Sequence, residues 1–112
     1  MALDISSLNG TIIITLPRRF DTDNAPAIEV ELKKITEQRP GRVLFDFSKT
    51  GYIASAGLRV LLTITRTILK TGGSVALSSL SPQVMQVFEI AGFTKIFSIS
   101  GSREEALRNL QK

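Results

Sequence analysis

The chain of 112 residues contains no cysteine and no histidine. Without cysteine there is no disulfide framework, no thiolate metal site and no cysteine nucleophile. Without histidine, imidazole is missing as a general base and as a metal ligand. Ser-His-Asp chemistry and histidine-based zinc sites are therefore excluded. Tryptophan is also absent and tyrosine occurs once, so surfaces on which nucleobases stack are scarce. No apolar run approaches the length of a membrane span. Met1 to Asp4 shows no basic segment followed by an apolar run, so no secretory leader is expected. Together these absences point to a cytoplasmic protein that does not enter membranes.

What remains is ordinary for a folded domain. Hydrophobic residues make up 43% and charged residues 21%, which suits a globular chain and not a disordered one. The length predicts a single domain over residues 1–112, with a core large enough to need no staples. A net charge of +4 allows an acidic partner. The basic residues are scattered, however, and adjoin only at Arg18-Arg19 and Lys33-Lys34, so nucleic-acid binding is not expected.

Thr11 to Leu16 is a β-branched run typical of a buried strand. Asn9-Gly10 before it is a hairpin signal, which makes Leu3 to Leu8 an antiparallel partner. Asp21 to Asn24 offers helix caps, with Pro26 in the first turn and Ile28, Leu32 and Ile35 at helical spacing. In this helix Glu29 and Glu31 come early and Lys33 and Lys34 late, as the helix dipole favours. Pro40-Gly41 ends it, and Arg42 to Phe47 reads as a second buried strand.

The clearest helix follows. Leu58, Leu61, Leu62, Thr65, Ile68 and Leu69 form one apolar face, closed by Gly72-Gly73. Ser74 to Leu80 is a third central strand. Ser81-Pro82 opens a helix with Val84, Val87 and Phe88 inside, and Gly92 ends it. A short strand over Ile96–Ile99 precedes a capping box, Ser102 and Glu105, and a last helix carrying Ala106, Leu107 and Leu110. The order is β-β-α-β-α-β-α-β-α. Strands alternating with helices predict an α/β fold with a mixed, mostly parallel sheet of 4–5 strands and about four helices.

Function concentrates in Gly51-Tyr52-Ile53-Ala54-Ser55-Ala56-Gly57-Leu58, the link between the second buried strand and the strongest helix. Ser55 falls at or just before the first turn. Its hydroxyl there can accept a hydrogen bond from an orphan backbone N–H, and the position also suits a phosphate. Ala54, Ala56 and Gly57 are small and leave the hydroxyl open to another protein. A phosphorylated Ser55 would carry about −1.5 to −2 charges, enough to repel a docked partner without refolding the domain.

The run Ala54-Ser55-Ala56-Gly57-Leu58 resembles the signature of the anti-sigma factor antagonists, members of the STAS domain family. In them a phosphorylatable Ser follows an acidic residue and precedes Ser or Thr and Gly-Leu. The likeness extends through Val43–Phe47, Gly72-Gly73, Ser81-Pro82 and the Phe88…Gly92-Phe93…Ile96 ending. Phe20-Asp21 followed by Ala25 resembles the family's segment before the first helix. The departures are Ala54 for the acid, Ala56 for the second hydroxyl and Arg18 for a usual Gly. Losing the acid removes a possible contact to a kinase, and also a charge that would repel a phosphate.

The resemblance implies a STAS-type fold and a partner-switching regulator, not an enzyme. Such an antagonist binds an anti-sigma factor that is also a serine kinase. The kinase phosphorylates the serine, here Ser55, and releases the antagonist, and a phosphatase restores it. The implied partner surface comprises Asp21, Ala54, Ser55, Ala56, Gly57 and Arg59, with Val60 and Ile64 lying off the main apolar face as an exposed, partly apolar patch. No cofactor or metal is implied, since no P-loop or dinucleotide motif is present. Two alternatives stay open. Ser55 could be a plain helix cap in a non-phosphorylated STAS interaction, scaffold or ligand-sensing module. It could also be a nucleophile, with Lys49 as the nearest base, but no Gly-x-Ser-x-Gly elbow supports that.

Overall fold

The structure is a computed structural model that describes residues 3–111. Asp4–Leu8 (β1) and Thr11–Thr15 (β2) form the antiparallel hairpin. Its turn uses Asn9 and Gly10, both at positive φ (51° and 83°), the geometry that matches the right-handed twist of the strands. Arg19–Phe20 (β3) and Ala25–Thr36 (α1) follow, then Arg42–Asp46 (β4), Tyr52–Ile53 (β5) and Ser55–Lys70 (α2). Ser74–Ser78 (β6), Pro82–Ala91 (α3), a 3₁₀ turn at Phe93–Lys95, Ser98–Ser100 (β7) and Arg103–Gln111 (α4) complete the order. The five-stranded sheet runs β1-β2-β4-β6-β7, parallel from β2 onward, as the alternating pattern predicts. Two short strands that periodicity does not reveal, β3 and β5, pair with each other in a separate parallel ribbon.

Side-chain alternation divides the interior between the two faces of the sheet. Ile14, Val43, Phe45 and Leu77 belong to the main core with the inner faces of α1, α2 and α3. Ile13, Leu44 and Ala76 face the other way, against Ala106 and Leu110 of α4. Phe88 anchors the main core, with Phe47 and Phe97 edge-on at 5.7 and 5.9 Å, an arrangement that adds specific geometry to simple burial.

Local signals hold with adjustments. The Ser81 hydroxyl caps α3 by accepting from Val84 N–H at 3.2 Å. Ser102 accepts from Glu105 N–H at 3.2 Å, but the Glu105 carboxylate turns to Gly101 N–H instead of closing the box. In α1 no acidic residue lies in the first turn. Glu29 pairs with Lys33 at 3.7 Å and Glu31 accepts from Leu3 N–H at 2.9 Å, so both serve specific contacts.

The expected face of α2 needs correction. Its buried stripe is Gly57, Leu58, Val60, Leu61, Ile64, Thr65 and Ile68. Leu69 is exposed. Val60 and Ile64, expected as an exposed patch, are 5% and 2% exposed. α1 packs alongside α2, so α2 must be apolar towards a helix as well as towards the sheet, and its stripe is wider than one contact surface requires.

Candidate partner-binding site

The site begins with the β3–β5 ribbon. Arg19 pairs with Tyr52 and Phe20 with Ile53. Gly51 N–H donates to the Arg18 carbonyl and Ala54 N–H to the Phe20 carbonyl, each at 2.9 Å. Two segments more than thirty residues apart in sequence, one leading to Asp21 and one to Ser55, are thereby locked side by side. Thr50 strengthens the lock: its hydroxyl donates to the Pro17 carbonyl at 2.9 Å. Gly57 permits the closest approach. A Cβ there would lie 2.8 Å from the Phe20 carbonyl oxygen and 2.9 Å from its ring. Only glycine lets the first turn of α2 sit on β3.

Ser55 is the first residue of α2, exposed, and flanked by half-buried Ala54 and Ala56. The N-cap is Ala54, in extended conformation (φ −103°, ψ 171°), and no side chain caps the helix. The hydroxyl therefore does not serve the capping role open to it from sequence. A cap must come from the residue before the first turn, and Ser55 lies one position too far along. The first turn of α2 holds no acidic residue, so the electrostatic surroundings of the hydroxyl favour an anion.

Asp21 sits at the other side of the ribbon. Its carboxylate accepts from Asp23 N–H at 3.0 Å and from Asn24 N–H at 3.3 Å, shaping the turn into α1. Asn24 answers by accepting from Asp21 N–H at 2.9 Å and donating to the Arg19 carbonyl at 2.7 Å. Arg19 Nε donates to Asp21 at 3.1 Å while its guanidinium lies 4.7 Å from the centre of the exposed Tyr52 ring. The Arg19 contact, helped by the two backbone N–H groups, holds the Asp21 carboxyl below its ordinary pKa.

Between α1 and α2 lies a shallow cleft of about 200 Å³, walled by Thr22, Ala25, Pro26 and Glu29 on one side and Ala56, Arg59 and Val60 on the other. Of the residues expected at the partner surface, Ser55 and Arg59 are exposed, and Asp21, Ala54 and Ala56 are half-buried. These five are brought to one end of the molecule. Gly57, Val60 and Ile64 are buried and support that surface from beneath. Arg19, Tyr52, Asn24 and Pro26 also stand at this end, although none is among the residues expected at the partner surface. Arg19 and Tyr52 lie on strands of two residues each, too short for any periodic signal. Asn24 and Pro26 carried cues, as a helix-cap residue and as a proline in a first helical turn, and Arg19 only as half of the Arg18-Arg19 pair.

A second polar cluster lies elsewhere. Asp46 at the end of β4 is 2% exposed and accepts from Arg103 at 2.6 Å and from Ser48 N–H at 2.9 Å. Burial works to raise its pKa, but the Arg103 and Ser48 hydrogen bonds outweigh it and the net displacement is downward. This pair fixes the start of α4 to the sheet. Among the described residues no group of three or more acidic side chains could hold a metal ion, and no helix is long and apolar enough to cross a membrane.

The STAS domain family model matches residues 2–106, and the chain belongs to that family. The family's antagonists of anti-sigma factors are regulatory proteins without enzymatic activity, and the curated relatives that this chain matches are of that kind. The chain is 37% identical over 106 residues to BtrV of Bordetella bronchiseptica, assigned as an anti-sigma factor antagonist, across 95% of this chain and 91% of that one. An anti-sigma factor antagonist from Mycobacterium paratuberculosis superposes with a TM-score of 0.91 at 19% identity, over 99% of this chain and 94% of its own. The Bacillus antagonist SpoIIAA superposes at 0.82 in its unphosphorylated form (98% and 96% covered) and 0.73 in its phosphorylated form (96% and 98% covered), both at 20% identity.

Proposed function

We propose that residues 1–112 act as one cytoplasmic domain, an anti-sigma factor antagonist whose partner is an anti-sigma factor with serine-kinase activity. Ser55 is the phospho-acceptor. The kinase transfers the γ-phosphoryl group of ATP to Ser55 Oγ, the hydroxyl proton leaves, and ADP is released. A phosphatase would reverse the modification by hydrolysis. The partner surface comprises Asp21, Ala54, Ser55, Ala56 and Arg59 around the cleft between α1 and α2.

One observation carries this reading. An exposed serine heads α2 without serving as its cap, so its hydroxyl is available to another protein's active site. The 37% identity to an assigned antagonist supports the same role. A dianion at Ser55 would face solvent in the free protein and a partner's surface in the complex, where like charge and desolvation oppose docking. A second reading, a STAS interaction module that is never phosphorylated, is favoured by one feature: Ala54 occupies the position where the family signature has an acid.

The deciding experiment incubates the protein with candidate anti-sigma kinases and Mg-ATP, then maps modification by mass spectrometry. A single phosphoryl group on Ser55, abolished in Ser55→Ala, is expected. Tight binding to such a partner without modification would leave the second reading in place of the first.

A further inference from the structure

We infer that Arg59 is an internal receptor for the phosphoryl group on Ser55. Once Ser55 is modified, its dianion is gripped by the guanidinium one helical turn along α2. The inference rests on the reading of Ser55 as the phospho-acceptor and adds what the modified side chain does within its own chain.

Ser55 and Arg59 are both exposed on α2 at spacing i, i+4, which places their Cβ atoms roughly 5–6 Å apart on one face. Side chains on a helix lean towards its N-terminus, so a long residue covers the turn before its own Cα. For Arg59 that turn is the one carrying Ser55 and Ala56. Arg59 and Ala56 do line the same cleft wall. The anion-first order, with the cation four residues later, is also the better orientation for such a pair.

The neighbouring charges leave this role to Arg59. Arg19 is engaged by Asp21 and stacked on Tyr52. Asp23 lies in the exposed turn before α1, and Glu29, which lines the same cleft as Arg59, is paired on its own helix with Lys33 at 3.7 Å. Arg18 is exposed on the loop before β3 and adds positive potential there. Among the described residues Arg59 is in no ion pair. No acidic side chain in the first turn of α2 competes for it, and Ala54 supplies none just before. Arginine suits the task because its planar fork can meet two phosphate oxygens at once. Phosphorylation would then alter the docking surface twice: a dianion appears beside the cleft, and the guanidinium that walls the cleft is drawn towards it.

The test needs neither kinase nor partner. Phosphoserine is installed at position 55 during translation, and the phosphate is titrated by phosphorus-31 NMR. With Arg59 present the second phosphate pKa should lie below the ordinary value of about 6, by about 0.2–0.4 unit, the worth of one helical ion pair for the single charge that the second ionisation adds. Arg59→Gln should return it towards about 6, and so should raising the salt to about 1 M, where screening is short-ranged. Arg66→Gln, exposed and further along the same helix, should leave the lowered value in place. Equal phosphate pKa values in the parent chain and Arg59→Gln would overturn the inference. An inability of every kinase to modify Ser55 would instead overturn the underlying reading, and this titration does not depend on one.

Discussion

Replacing Gly57 with alanine tests whether one close contact holds the two halves of the site together. The new Cβ would meet the Phe20 carbonyl oxygen at 2.8 Å and the Phe20 ring at 2.9–3.0 Å. The ring could rotate slightly, but the carbonyl cannot, because it already accepts from Ala54 N–H. Either that hydrogen bond is lost or α2 moves off β3. Overpacking of this kind destabilises by about 1–3 kcal/mol. The clash is with backbone, which puts the cost in the upper part of that range, and with up to about 1 kcal/mol recovered through helix propensity the net loss should be about 1–2 kcal/mol. For 112 residues the entropy of unfolding converts each kcal/mol into about 4 °C, and the midpoint should fall by about 4–8 °C in calorimetry. Gly51→Ala is the control, since nothing lies within 4 Å of its would-be Cβ, and it should stay within about 0.5 kcal/mol. A Gly57→Ala protein that melts at or above the parent's temperature would show that the contact gives way and that the ribbon does not depend on it.

Three further outcomes are expected. Ser55→Asp should weaken binding to a purified anti-sigma partner more than Ser55→Ala does in calorimetric titration, while both stay within about 0.5 kcal/mol of parent stability because Ser55 caps nothing; equal affinities would argue against the switch. Ile64→Ala should lose about 2–4 kcal/mol in denaturant unfolding as a core truncation, with affinity per folded molecule unchanged; selective loss of binding at full stability would restore the surface role first expected of it. Asp46→Asn should be less stable than the parent at neutral pH by about 1–3 kcal/mol. The folded-state pKa of Asp46 lies below its unfolded value of about 3.9. Its contribution is therefore present above that value and lost as pH falls through the folded one, so the difference between parent and variant should narrow on acidification from about pH 5 to 2; a constant difference would refute this.

The sequence displayed the features that depend on local pattern. The Asn9-Gly10 hairpin, the Ser81-Pro82 helix start and the β-branched strand from Thr11 are each set by residues within a few positions of one another and stand where expected, whereas the last strand, expected over Ile96–Ile99, runs over Ser98–Ser100. What it hid depends on partners distant in the chain. Val60 and Ile64 looked exposed because the helical stripe was drawn for one covering surface, whereas α1 supplies a second. The β3–β5 ribbon is two residues wide on each strand and exists through hydrogen bonds between them. The position of Ser55 relative to its helix turned on a single residue, the level at which sequence patterns blur. The surface around Ser55 was legible in its members Asp21, Ala54, Ser55, Ala56 and Arg59, but not in its scaffold, which is tertiary.

The sheet also acts as a partition. The Ser55 surface belongs to the layer built by α1 and α2, whereas α4 is seated on the opposite face over its own small cluster of Ile13, Leu44, Ala76, Ala106 and Leu110. A chain devoid of native thiols can thus take one engineered cysteine at solvent-facing Arg108 on α4. A dye placed there would ride on the rear of the molecule and follow the comings and goings of a partner without standing in its way.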